Sequence, residues 1–396
     1  MNILFHTYGK LEPTKGGTER TTITLATALT REYGCRCFSS YEDANAHTPK
    51  VDCVLDEYRW EIQRNRQATI KECREMLLRF CIDAVIIQGS FIHVPIFREA
   101  AKGMGCRIIL AHHFEPGWDV SYISFRELVK NKPAQLLSSL RWLKNITLYP
   151  LLRRNYYRLM HDSYKQAYEE SDIVVLLTEK FIDKYRAFGQ FEDKSKFRII
   201  PNGLSLTSIA KESDISKKKR IVLIVSRLDE HYKRISLALN IWEEAKKDSR
   251  SDGWRLNIVG HGVDESFYKN LVRQKNIPDV HFLGRQAPEP YYKEAAIFLM
   301  TSRSESWGLT LTEAQQTGVV PIAFDSYDSL SEIITHEQDG LIIPESNTNQ
   351  YVSELLALMA NEERRHELAC NGLVSCRKFE PSSIAEQWWR LITNYK

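Results

Sequence analysis

Phe298-Leu299-Met300-Thr301-Ser302-Arg303-Ser304-Glu305-Ser306-Trp307-Gly308-Leu309-Thr310-Leu311-Thr312-Glu313 is the stretch around which the chain is organised. Phe298 to Met300 is an apolar run of buried-strand length, Thr301 to Gly308 is polar and turn-like, and a helical pattern begins near Leu309. Glu305 and Glu313, with seven residues between them, therefore fall on either side of a strand–loop–helix join. Glu305 is placed at the carboxyl end of the strand and Glu313 about one turn into the helix. The first backbone N–H groups of that helix have no partner within it and point at whatever anion sits there. A phosphate at the helix start, with one carboxylate beside it and another at ribose distance, suits a sugar nucleotide.

Outward from this join, the C-terminal half alternates strand-like and helix-like segments, with strands expected at 221–226, 255–260, 280–283, 297–300, 320–324 and 341–343. The first of them ends in Ser226-Arg227-Leu228-Asp229-Glu230-His231-Tyr232-Lys233, where Arg227 and Lys233 are two cations fit to clamp a diphosphate. The second runs into Gly260-His261-Gly262, a glycine turn that lets backbone approach a ligand. The third, with Leu283, presents backbone groups suited to a nucleobase. Each feature is ordinary alone; together they fall at successive strand ends of one domain.

The N-terminal half alternates in the same way, with strands expected at 3–6, 36–39, 84–88, 107–111, 173–177 and 197–200. After the first comes Lys15-Gly16-Gly17-Thr18-Glu19-Arg20, in which Gly16 and Gly17 can bring N–H groups close to a ligand and Thr18 is suited to cap the following helix. The strand at 107–111 runs into His112-His113, and a histidine at the carboxyl end of such a strand faces the ligand crevice. His113 is the candidate hydrogen-bond donor to a substrate hydroxyl or developing charge, with His112 its rival.

A chain of 396 residues, 43% hydrophobic and 27% charged, has the composition of a globular protein of two domains. A net charge of +3 is too mild for a nucleic-acid partner. Eight scattered cysteines show no zinc spacing, which fits a reduced, cytoplasmic protein. Met1 to His6 runs directly into a strand, and no apolar stretch reaches the length of a membrane span, so neither signal peptide nor transmembrane helix is expected. From Val120 to Met160, however, eight bases face one acid, a local charge of +7, interleaved with leucines and Trp142. Such a basic, leucine-bearing helical pair suits peripheral contact with anionic membrane; a helical hairpin with solvated bases is the plainer reading. The polar run Lys211 to Arg220 suggests a domain junction, giving domains at 1–207 and 208–380 and a closing helix at 381–396. Trp388 and Trp389 on that helix call for a surface to pack on, and it is expected to return to the first domain.

Gly16-Gly17-Thr18-Glu19-Arg20, His113, Arg227 with Lys233, Gly260-His261-Gly262 and Glu305-x7-Glu313 occur in the order shown by family 4 glycosyltransferases, and the chain resembles that family over essentially its whole length. The resemblance is most specific from Arg227 to Pro344 and weakest in the basic insertion at about 120–160. It implies the GT-B fold, two doubly wound Rossmann-like α/β domains facing each other across a cleft, the first binding acceptor and the second the nucleotide sugar. It implies retaining transfer of a hexose from a nucleotide sugar, with UDP favoured, to a saccharide or lipid-linked acceptor of cell-surface polysaccharide or lipopolysaccharide synthesis. By position, Arg227 and Lys233 would neutralise the leaving diphosphate, and the backbone at Gly308, Leu309 and Thr310 would add helix-start hydrogen bonds. Glu313 would hold the ribose, Glu305 and the neighbouring Ser306 the donor sugar, and His113 the sugar near the reacting carbon. The Gly16-Gly17 turn would complete the donor site.

With no Asp-x-Asp pair in the chain, no metal site and no cofactor are expected; the cations would take the metal's place. Two positions depart from the family pattern: Ser306 replaces a glycine, and Asp325-Ser326-Tyr327-Asp328 replaces a glycine-bearing loop. The alternatives are a sugar-nucleotide epimerase or phosphorylase of the same fold, and a non-catalytic protein of the membrane surface. Sugar, linkage, acceptor and oligomeric state are not encoded in any of these motifs.

Overall fold

The computed structural model describes residues 1–13, 16–42, 49–60, 65–122, 144 and 146–394. The chain folds into two compact units, one of residues 1–200 with 388–396 and one of residues 201–387. The division falls at Ile200–Pro201, ahead of the polar run at 211–220.

The first unit is built on seven parallel strands: β1 (Asn2–Thr7), β2 (Arg36–Tyr41), β3 (Glu57–Arg59), β4 (Ala84–Gln88), β5 (Arg107–Ala111), β6 (Ile173–Leu176) and β7 (Phe197–Ile199). Their order across the sheet is β3-β2-β1-β4-β5-β6-β7. Strands such as Ala84-Val85-Ile86-Ile87 are apolar without alternation and wholly buried, as a parallel sheet covered on both faces requires. The short edge strand β3 has no apolar run to announce it. It forms because β2 offers Ser39, Ser40 and Tyr41 as ladder partners.

The second unit has six parallel strands: β8 (Lys219–Val225), β9 (Arg255–Val259), β10 (Val280–Gly284), β11 (Ala295–Met300), β12 (Val320–Asp325) and β13 (Leu341–Pro344), in the order β10-β9-β8-β11-β12-β13. Its core joins strand residues such as Val222, Ile258 and Ile297 to Trp242, Trp254, Tyr268 and Tyr351 from the connections. Both sheets are doubly wound. The order reverses at β1/β4 in the first and at β8/β11 in the second, and such reversal points open the crevice where α/β sheets bind ligands.

The helix Gly17–Tyr33 is capped by Gly16 with no side-chain hydrogen bond, so Thr18 lies inside the first turn instead of capping it. Of the basic segment, the helix Tyr149–Glu170 is described; residues 123–143 and 145 lie outside the described residues, and with them Arg126, Lys130, Lys132 and Arg141. This helix buries Met160, Tyr164, Ala167 and Tyr168 and exposes Leu151, Leu152 and Leu159. Among the described residues no helix is long and apolar enough to cross a membrane. The closing helix, Pro381–Asn394, is shared between the units. In the first unit Trp389 stacks on Tyr33 at 4.9 Å and the Arg107 guanidinium donates to the Ile392 carbonyl.

Candidate functional site at the second reversal point

Arg227 and Lys233 leave the carboxyl end of β8, and Glu305 to Gly308 leave that of β11. These strands are neighbours at the centre of the sheet, so the fold brings the two loops together at the carboxyl ends of its strands. Backbone contacts then lace the loops together: Arg303 N–H donates to the Tyr232 carbonyl at 2.7 Å, and the Thr301 hydroxyl to the carbonyls of Lys233 and Arg234 at 3.1 and 3.0 Å.

Lys233 and Glu305, which the family pattern directs to different ligand groups, touch one another. The Lys233 ammonium donates to Glu305 Oε1, which also accepts from the Ser302 hydroxyl at 2.7 Å. The pair is 19% and 15% exposed, enough for solvent or a ligand to reach it. An ammonium has three donors, so Lys233 keeps capacity for a phosphate oxygen while its position is fixed by Glu305. Arg227 stands differently. Its guanidinium is 62% exposed and reaches Asp229 at 3.4 Å.

Arg234 carries no motif, and no signal in the sequence singles it out. It holds a left-handed backbone (φ 48°), and its guanidinium donates to the carbonyls of Thr301 and Ser302 at 2.7 and 3.0 Å. It therefore fixes the start of the Glu305 loop relative to Lys233. In the loop that departs from the family pattern, Ser326 donates to the Ser302 carbonyl at 2.6 Å, and Ser329, just after that loop, donates to the Ser306 carbonyl at 2.9 Å.

Gly308 caps the helix Leu309–Gln316 in a left-handed conformation (φ 92°), with no side-chain cap. The N–H groups of the first helical turn, among them Leu309 and Thr310, are thus not competed for by a capping side chain. A Cβ at Gly308 would lie 2.8 Å from the Tyr327 hydroxyl, so that tyrosine packs directly against the helix mouth. Four residues past Leu309, Glu313 is wholly buried. Its two oxygens accept from the hydroxyls of Ser205 and Tyr292, at 2.6 and 3.0 Å. A ribose would present the same groups, but here protein hydroxyls hold the carboxylate.

The close approach that Gly260 and Gly262 permit is to the chain itself. A side chain at Gly260 would overlap the Ser226 carbonyl, and one at Gly262 that of Leu228. Gly260 donates to the Gly284 carbonyl at 2.8 Å, next to the partly exposed Leu283 at the end of β10. These glycines seat the ends of β8, β9 and β10 against each other, and so set where Arg227 begins.

In the first unit, Gly16 is extended (φ −155°) and Gly17 is exposed at the helix start. Of the two histidines after β5, His112 is 1% exposed, edge-on to Tyr164 and Tyr185, and burial pushes its pKa down to about 3. It is a neutral core group. His113 is partly exposed and its Nε2 meets the Gln88 side-chain oxygen at the end of β4.

Residues 207–373 match the family model of the glycosyl transferases group 1. The chain is 26% identical over 175 residues to the amylovoran biosynthesis glycosyltransferase AmsD of Erwinia amylovora, covering 44% of this chain and 48% of that one. It is 27% identical over 181 residues to the GalNAc-alpha-(1->4)-GalNAc-alpha-(1->3)-diNAcBac-PP-undecaprenol alpha-1,4-N-acetyl-D-galactosaminyltransferase of Campylobacter jejuni, covering 46% and 50%. The chain thus spans about half the length of these curated relatives. Among solved structures, Anabaena Alr3699/HepE in complex with UDP superposes with a TM-score of 0.73 over 100% of both chains at 14% identity. Residues 207–373 are thus similar to the group 1 glycosyl transferases, and the chain as a whole has the fold of the GT-B enzymes.

Proposed function

We propose that the chain is a retaining glycosyltransferase that moves a hexose from a UDP-sugar to a saccharide or lipid-linked acceptor of surface-polysaccharide or lipopolysaccharide synthesis. The observation that carries this reading is the meeting of Lys233, Glu305 and an uncapped helix start at the β8/β11 reversal point. In the reaction the bond from the sugar's anomeric carbon to the diphosphate breaks, a bond to the acceptor hydroxyl forms, and that hydroxyl's proton leaves with the phosphate. Lys233, Arg227 and the N–H groups of Leu309 and Thr310 stabilise the charge gathering on the departing diphosphate, without a metal. Glu305 holds the donor sugar's hydroxyls beside Ser306, Glu313 accepts the ribose hydroxyls in place of Ser205 and Tyr292, and His113 binds the sugar near the reacting carbon. Gly16 and Gly17 offer backbone N–H groups to the donor. The UDP seen in HepE and the undecaprenol-linked substrate named for the Campylobacter relative support the choice of donor and acceptor class. Transfer of labelled sugar from a panel of UDP- and GDP-sugars tests it. Wild type is expected to transfer from a UDP-sugar, and Glu305→Ala and His113→Ala to lose most of that turnover; equal turnover in all three, or a product that stays nucleotide-linked as an epimerase's would, contradicts the reading.

We also propose that the protein works on the inner face of a membrane, at the helix Tyr149–Glu170. Exposed Leu151, Leu152 and Leu159 sit among Arg153, Arg154 and Arg158, an arrangement suited to anionic lipid. Replacing the three arginines by glutamate is expected to abolish co-sedimentation with phosphatidylglycerol vesicles while leaving sugar transfer to a soluble acceptor intact. Undiminished sedimentation would remove this helix from the proposal.

A further inference from the structure

The reversal point of the first sheet, between β1 and β4, holds a cluster that no donor or acceptor role uses. His6 is on β1, Glu42 directly follows β2, and His93 lies in the short 3-10 turn Phe91–His93 after β4. Residues 87 positions apart in sequence are thus side by side: His6 Nε2 is 3.1 Å from His93 Nδ1. Glu42 Oε1 lies 3.3 Å from His6 Nε2 and 3.0 Å from His93 Nδ1. The three atoms form a nearly equilateral triangle. Both histidines are buried, while Glu42 keeps 10% of its side chain exposed.

Two features distinguish this triangle from an ordinary hydrogen-bonded cluster. Glu42 Oε1, though within hydrogen-bond distance of two ring nitrogens, receives no aligned hydrogen bond among the described residues. One atom from each of the three side chains, Glu42 Oε1 and the two ring nitrogens, lies within 4.8 Å of the others. The separations also match coordination geometry. Ligand atoms about 2.0–2.1 Å from a tetrahedral ion stand roughly 3.3–3.4 Å apart, and those on one face of an octahedron about 3.0 Å. The observed 3.0, 3.1 and 3.3 Å span that interval. Around the triangle, His6 Nδ1 contacts the Ser40 hydroxyl at 3.0 Å, the outer partner that orients a metal-binding imidazole. Trp60 and Phe97 close the apolar side, with ring centroids 4.9 Å from that of His6.

We infer that His6, Glu42 and His93 bind one divalent transition-metal ion of the zinc class, with the coordination position on the Glu42 side left for water or a ligand. This site belongs to the first unit and is independent of the transfer reading, in which the donor diphosphate is held by cations of the second.

The full chain, freed of metal by dialysis against a chelator, is titrated with ZnCl2 and, separately, with CoCl2. One tightly bound ion per chain is expected, and the cobalt form should show visible d–d absorption without a thiolate charge-transfer band. Glu42→Gln, nearly isosteric, and His93→Gln should each weaken zinc binding by at least about 100-fold, beyond the loss typical of an outer-shell partner. His366→Ala should leave the titre unchanged; it removes one member of the surface trio Glu212, His366 and Cys370, whose ligand atoms also lie within 4.8 Å of one another. Absence of stoichiometric binding in the wild type overturns the proposal. So does a titre lost in His366→Ala, or a thiolate band, which assigns the ion to Cys370. Should either triad variant fail to fold by circular dichroism, the wild-type cobalt spectrum alone decides between these outcomes.

Discussion

Replacing Lys233 by alanine is expected to lower kcat/KM for transfer from a UDP-sugar about 100- to 1000-fold, the range measured when one fixed donor to a developing oxyanion is removed. Lys233 is not a loose surface cation. The Thr301 hydroxyl binds its carbonyl, Arg234 next to it bonds the Thr301 and Ser302 carbonyls, and Glu305 takes its ammonium. A charge held this way needs no reorganisation when the diphosphate departs. The same replacement takes a charged donor from Glu305 and leaves it the Ser302 hydroxyl, so a modest loss of stability accompanies it. Urea unfolding separates the effects: a shift of about 1 kcal/mol beside a 100-fold kinetic loss assigns the loss to catalysis. Arg227→Ala serves as the graded comparison, because its guanidinium is largely exposed and tethered through Asp229. A drop of less than about threefold in Lys233→Ala would show that the diphosphate is held elsewhere.

Gly260→Ala is expected to produce the largest loss of stability of any single methyl added to the second unit near this site. Gly260 adopts φ 145°, and its missing side chain would overlap the Ser226 carbonyl oxygen. That oxygen is backbone and cannot swing away. The strand ends are tied across it, by Ser226 N–H to the Val259 carbonyl at 3.0 Å and Leu228 N–H to the His261 carbonyl at 2.9 Å. Relief would require separating β8 from β9, so a loss of about 3 kcal/mol or more follows, lowering Tm by roughly 6–12 °C for a unit of this size. Gly284→Ala is the control. Its φ of 69° also disfavours a side chain, yet no atom lies within 4 Å, so only the conformational cost of about 1–2 kcal/mol applies. Thermal unfolding that ranks the two variants equally would contradict the crowding argument.

What the sequence discloses, and what it withholds, follows from which interactions are local. Among the described residues, twelve of the thirteen strands fall where strand-like segments are expected from the sequence; β3 does not, because Glu57-Tyr58-Arg59 is a strand only by pairing with β2. The Glu305 loop and its helix are legible because strand, polar turn and helix follow one another without interruption. Arg234 is not, since its role depends on carbonyls 67 and 68 positions away. Glu313 is legible as a carboxylate on the helix after Gly308, but its engagement with Ser205 and Tyr292, 108 and 21 positions off, is a tertiary fact. The glycines of Gly260-His261-Gly262 suggest room for a ligand, whereas the room is taken by Ser226 and Leu228. His112 and His113, adjacent in sequence, are parted by the alternation of a strand end: one enters the aromatic core and the other meets Gln88. The His6–Glu42–His93 triangle has no spacing to find, because three strand ends assemble it.

Calorimetric titration of the full chain with UDP in the presence of EDTA tests most directly whether fixed cations and a helix mouth grip a diphosphate. UDP is expected to bind at one site per chain with chelator present, at least about tenfold tighter than uridine, with the difference removed in Lys233→Ala. UDP that binds no better than uridine, or only after a divalent metal is restored, would contradict it.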